Sequence, residues 1–132
     1  MPGFFLVSIG MAALLVYLPF LVVGYGRFAM GYDQAAPRAM LSKLPAYAQR
    51  ATWAHENAFE SITLYAPAAL MAYITQQQSE VALGAAVAYL TARALYPAAY
   101  ILNLPIGRSL MFAVANISTF TLYFLSCRSA LM

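Results

Sequence analysis

The sequence predicts an all-α integral membrane protein, one domain built as a bundle of four transmembrane helices, and three observations predict it. The 132 residues are 64% apolar and only 8% charged, against roughly 45–50% and about 25% in an average soluble domain. A bilayer-spanning helix needs about 20 apolar residues, so this length holds four spans with short loops and leaves little for an extramembrane domain. No alternating strand pattern marks a barrel, and backbone in lipid must satisfy its own hydrogen bonds, which makes helices the default.

The first span is expected at about 4–27. Its apolar run, Phe4 to Tyr25, exceeds the roughly 7 to 15 residues of a secretory signal core, and no Lys or Arg precedes it, so it reads as a retained span. Pro19 should kink it, and Gly24, Gly26 and Gly31 mark its end. Residues 31–44, with Asp33, Gln34, Pro37, Arg38, Ser42 and Lys43, read as an interfacial loop. A second span is expected at about 46–75, started by Pro45 and bent at Pro67. After the short link 76–79, Ser79 is placed to cap a third span at about 80–102. The break at 103–105 precedes a fourth, at about 106–126.

Loop charge sets the expected orientation. Arg27, Arg38, Lys43 and Arg50 lie between the first two spans and Arg108 follows the last turn, whereas the N-terminal end has no Lys or Arg. Lys and Arg favour the cytoplasmic side, so both termini should face away from it. The net charge of +3 is spread along an apolar chain rather than gathered into a tract, which argues against nucleic-acid binding. The single Cys127 cannot form an internal disulfide; it reads as a small apolar residue near a helix end. No Cys/His cluster points to a metal. A small multidrug transporter would also have four short spans, but the first span here has no Asp or Glu before Asp33.

Ionisable residues within spans are costly and by default mark a pathway, a partner or a site. The start of the second span, from Arg50 to Glu60, places Arg50, His55, Glu56, Asn57 and Glu60 beside an otherwise apolar stretch. At 100° per residue, Asn57 lies about 20° and Glu60 about 80° from Arg50, so the three share a face, while His55 points about 140° away. On the third span Tyr89, Arg93, Tyr96 and Tyr100 fall within about 60°. Arg93 lies deep enough to need a partner, for which Glu60 is the natural candidate. Two readings stay open here: a helix-locking Arg93–Glu60 pair with tyrosines in an interfacial belt, or a pocket for a small zwitterionic ligand with several carboxylates, which guanidinium forks and a Glu would suit. Arg108 stands in the first turn of the fourth span, where the helix dipole disfavours a cation. It is either a headgroup anchor or a group that stabilises a thiolate or other developing negative charge.

These residues resemble the MAPEG family, the membrane-associated proteins in eicosanoid and glutathione metabolism, and most of all its small bacterial members. The likeness rests on Arg50, Asn57 and Glu60 opening the second of four helices, on Arg93, Tyr96 and Tyr100 on the third, and on the stretch from Pro105 to Ser109. It covers nearly the whole chain. The resemblance implies a homotrimer with glutathione, a cosubstrate, bound in clefts between subunits near the cytoplasmic side. Arg50, His55, Asn57, Glu60, Arg93, Tyr96 and Tyr100 would be the glutathione contacts, and Arg108, with Ser109 beside it, the catalytic pair at the thiolate. The implied activity is glutathione transfer or peroxidase chemistry on a lipophilic electrophile entering from membrane lipid; the short loops suit a bacterial inner membrane. The alternative is a non-catalytic lipid-binding or scaffold member of the same fold. Three departures stand out: Trp53 where many eukaryotic members have a second Arg, Ser61 where an aromatic or aliphatic residue is usual, and a Tyr100–Arg108 spacing that differs by a residue from characterised enzymes.

Overall fold

The computed structural model describes residues 3–132, and among them every regular element is a helix. The expected kink in the first span is a full break: α1 runs from Gly3 to Val16 and α2 from Leu18 to Ala29. Pro19, in the first turn of α2, has no N–H to carry the α-helical ladder across. A 3-10 turn over Pro37–Lys43 occupies half of the expected loop, with Met40 buried beneath it. Helix α3 covers Ala46–Ile74 without interruption through Pro67, α4 covers Glu80–Ile101, and α5 covers Pro105–Leu131. Ser79 caps α4 as its position implied, accepting the Ala82 N–H at 3.1 Å. Gln76 and Asn103 take positive φ at the ends of α3 and α4 and turn the chain back.

Small residues set the packing. The buried stripe of α3 is Ala48, Ala51, Ala54, Ala58, Ser61, Tyr65, Ala68, Ala69 and Ala72, a three-and-four spacing that lets the other helices lie close on it. The same logic places Gly26 of α2 against α3. A Cβ at Gly26 would stand 2.7 Å from the Ala48 Cβ, an atom that cannot move without its backbone. Gly26→Ala is therefore expected to destabilise by about 1–3 kcal/mol, because crowding outweighs the gain in helix propensity. Gly24→Ala, whose Cβ meets nothing within 4 Å, should be neutral or stabilise by up to about 1 kcal/mol. Thermal loss of helical circular dichroism in detergent measures both.

Two rings fill the centre. Tyr65 of α3 and Tyr89 of α4 are fully buried and stack at 3.7 Å between centroids with planes 6° apart. Each hydroxyl has a serine partner, Ser8 at 2.6 Å for Tyr65 and Ser61 at 2.9 Å for Tyr89. Ser61 is thus explained: a larger side chain there would displace the Tyr89 hydroxyl from its partner. At the opposite end of the bundle from the α3 N-terminus, Gln77 donates to the Leu125 carbonyl and the Ser129 hydroxyl and ties the α3–α4 link to α5.

Large apolar side chains cover the outside. Leu14, Leu21, Phe28, Ile117 and Phe124 are each more than 60% exposed, far more apolar surface than a water-soluble monomer presents. Three helical stretches, Gly3–Ala29, Glu80–Ile101 and Pro105–Leu131, are long and apolar enough to cross a membrane. Helix α3 has the length, but its first half carries the polar cluster. A lipid environment satisfies the exposed apolar surface, and the chain is an integral membrane protein.

Candidate functional site

The start of α3, the end of α4 and the start of α5 meet at one end of the bundle, and this brings most of the sequence-identified polar residues together. Their spacing along each helix fixes which can touch. Arg93 is 5% exposed and donates from Nη1 to Asn57 Oδ1 at 2.9 Å. Its guanidinium lies over the Tyr96 ring, 4.3 Å from the centroid. Tyr96 meets Tyr100 edge-on at 5.7 Å, and the Arg108 guanidinium stands 4.8 Å from the Tyr100 centroid. Trp53 closes one side, 6.5 Å from Tyr100. The result is a ladder of two edge-on aromatic rings with a cation at each end, from the buried Arg93 to the half-exposed Arg108, each cation facing the negative face of a ring.

The carboxylate partner expected for Arg93 is not the one found. Asn57 holds the guanidinium and Glu60 is exposed. Glu60 lies about 60° further round α3 than Asn57, and it is Asn57 that meets the guanidinium. An amide suits this place: it accepts a hydrogen bond without the desolvation cost of a second buried charge. Glu60 is left as a free carboxylate on the open side of the ladder.

Arg50 has a structural partner too. Its Nε and Nη2 both donate to the Ile101 carbonyl, at 3.0 and 2.9 Å. Ile101 is the last residue of α4, where carbonyls lack helical donors and a cation complements the dipole. Arg50→Ala is expected to lower stability by about 1.5–3 kcal/mol, the usual worth of a hydrogen bond to a charged group. Arg50→Lys, which keeps the charge but not the fork, should recover part of it, as read by thermal unfolding without ligand.

His55 stands apart from the ladder. Its Nδ1 lies 2.7 Å from the Val16 carbonyl, at the α1–α2 break, so Nδ1 carries the proton and Nε2 is the free ring nitrogen. Tyr17, Phe20 and Phe59 surround the ring. The chain's break and its repair are thus coupled: Pro19 opens the ladder and the imidazole ties α3 to the carbonyl beside the opening. Ser109 follows Arg108 on α5 and is exposed.

In the single chain this end is open. Trp53, Glu60 and Ser109 are exposed, and Asn57, Tyr100 and Arg108 are half-buried. Among the described residues no three His, Cys, Asp or Glu side chains gather as they would to hold a metal ion. Sequence periodicity found the ladder residues; it did not find Arg27 and Arg38 as more than loop charges, because the 3-10 turn that brings Arg38 to the cavity lined by Arg27 and His55 has no periodic signal.

A family model described as the MAPEG family matches residues 4–128. Searches of curated proteins and of solved structures return no match.

Proposed function

Since the chain belongs to the MAPEG family, and is therefore a membrane protein of the glutathione and eicosanoid type, we propose that it binds glutathione and transfers it to, or uses it to reduce, lipophilic electrophiles arriving through the bilayer. The observation that carries this reading is the Arg93–Tyr96–Tyr100–Arg108 ladder, open on the side where Glu60 is free. Glutathione has two carboxylates, one ammonium and one thiol. Glu60 takes the ammonium, Arg108 faces the thiol sulfur and stabilises it as thiolate, and Tyr100 with Trp53 lines the peptide. Arg93, Asn57 and Tyr96 are positioning residues, since their mutual contacts hold Tyr100 and hence Arg108 in place. Ser109 offers a hydroxyl beside Arg108. His55 and Arg50 contribute to glutathione only across a subunit boundary, so the reading includes a homotrimer whose neighbours complete the cleft. It also includes four spans, both termini on the non-cytoplasmic side, and a bacterial inner membrane as the setting.

One observation favours a second reading, a non-catalytic lipid-binding or scaffold member of the fold. Arg50 and Asn57, two of the polar groups offered to a ligand, already have intramolecular partners. Equilibrium dialysis of the detergent-purified protein against radiolabelled glutathione separates the two. Saturable binding at or below millimolar glutathione, with conjugation of an aryl halide, is the expected result. Absence of binding at that concentration removes the enzymatic reading and leaves the second.

A further inference from the structure

A second polar cavity lies on the other side of α3 from the ladder. It encloses about 450 Å³ between the end of α2, the 3-10 turn and the first half of α3. Phe20, Leu41, Leu44 and Phe59 form its apolar wall, and Arg27, Arg38, His55 and Glu56 supply its polar groups. Arg27 carries the strongest signal. Its Nε is buried and has no hydrogen-bond partner, and the guanidinium lies 5.8 Å from the Phe20 centroid. A buried donor on a charged group left without an acceptor is costly, and such groups in native structures call for an explanation.

We infer that this cavity binds the headgroup of a phosphoethanolamine-headed lipid. The phosphate accepts from the Arg27 and Arg38 guanidiniums, the Arg27 fork turning to bring its orphan Nε within reach, since guanidinium forks match phosphate oxygens in pairs. Glu56, exposed at the rim, accepts from the headgroup ammonium. One acyl chain runs along Phe20, Leu41, Leu44 and Phe59. The depth fits: Arg27 stands in the last turn of α2 and Arg38 and Lys43 lie in the connection between α2 and α3, where positive side chains meet lipid headgroups. Both ends of a lipid are accounted for, which neither a free anion nor a wholly apolar compound would achieve. The site stands whether or not the ladder handles glutathione, because none of Arg93, Tyr96, Tyr100 and Arg108 lines it.

Native mass spectrometry of the delipidated protein, titrated separately with phosphatidylethanolamine, phosphatidylcholine, soluble phosphoethanolamine and inorganic phosphate, tests it. The expected result is one phosphatidylethanolamine per chain, held at least tenfold more tightly than phosphatidylcholine, whose quaternary ammonium has no N–H to donate. Soluble phosphoethanolamine and phosphate should bind far more weakly than the lipid. Arg27→Gln with Arg38→Gln should lower lipid retention at least tenfold, and Glu56→Gln should abolish the preference between the two lipids. Leu41→Trp, which fills the cavity and keeps every charge, should also expel the lipid and serves if the double variant fails to fold. Unchanged retention in folded double-variant protein or in Leu41→Trp overturns the site. Phosphate or soluble phosphoethanolamine binding as tightly as the lipid shows a soluble-anion site instead and overturns the lipid assignment, and equal retention of the two lipids by the unaltered protein overturns the role of Glu56.

Discussion

Arg108→Ala is expected to reduce kcat for glutathione conjugation of an aryl halide about 10²-fold to 10³-fold, the usual consequence of removing one donor from a developing anion, while glutathione affinity changes far less. The reason lies in position. Arg108 sits in the first turn of α5 with its guanidinium 4.8 Å from the Tyr100 ring, so its charge is held toward the open side of the ladder instead of trailing into the headgroups. A fixed cation favours thiolate over thiol and so lowers the pH at which bound glutathione becomes nucleophilic. Without it the thiol ionises at higher pH. The defect should therefore be largest at low pH and shrink as pH rises, a profile that mere misfolding would not give. Arg108→Lys, which keeps a point charge but not the planar fork, should recover part of the rate. Stopped-flow or steady-state rates across pH measure all three, and a variant with ordinary conjugation rates would take Arg108 out of the chemistry.

For stability, the largest single loss is expected at Tyr65. Its ring is fully buried, stacked on Tyr89 and hydrogen-bonded to Ser8. Tyr65→Ala removes the ring's burial and one half of the stack and leaves the Ser8 hydroxyl with only the Phe5 carbonyl as partner. The cost should be about 3–5 kcal/mol, as for other large aromatic truncations in packed cores. Tyr65→Phe keeps the ring and loses only the hydroxyl, so it should cost about 1–2 kcal/mol. Unfolding in mixed detergent, followed by helical signal, gives the difference. Equal losses in the two variants would mean that the hydrogen bond, not the stacked ring, holds α1, α3 and α4 together.

Much of the site was legible because helical periodicity is local. The angular arithmetic placed Asn57 on the Arg50 face and Arg93, Tyr96 and Tyr100 in one stripe, and these do converge. The partner of Arg93 was not legible: Asn57 and Glu60 are both near that face, and which one meets α4 depends on how far α3 is rotated against it. Arg50 illustrates the same limit. Nothing in its own neighbourhood names Ile101, 51 residues away, as the acceptor of both its N–H groups.

The residues alone determined a helical, membrane-embedded chain and where its helices break, because backbone hydrogen bonding in lipid, proline's missing donor and a serine cap all act within a few residues. Tertiary structure decided which polar groups satisfy one another and which stay available: Arg93 to Asn57, Arg50 to Ile101 and His55 to Val16, with Glu60 left free and Arg27 short of an acceptor. The physical reason is that periodicity fixes an angle on one helix, whereas a contact also needs the rotation and depth of its neighbour, and those follow from how alanine and glycine stripes seat the helices on one another.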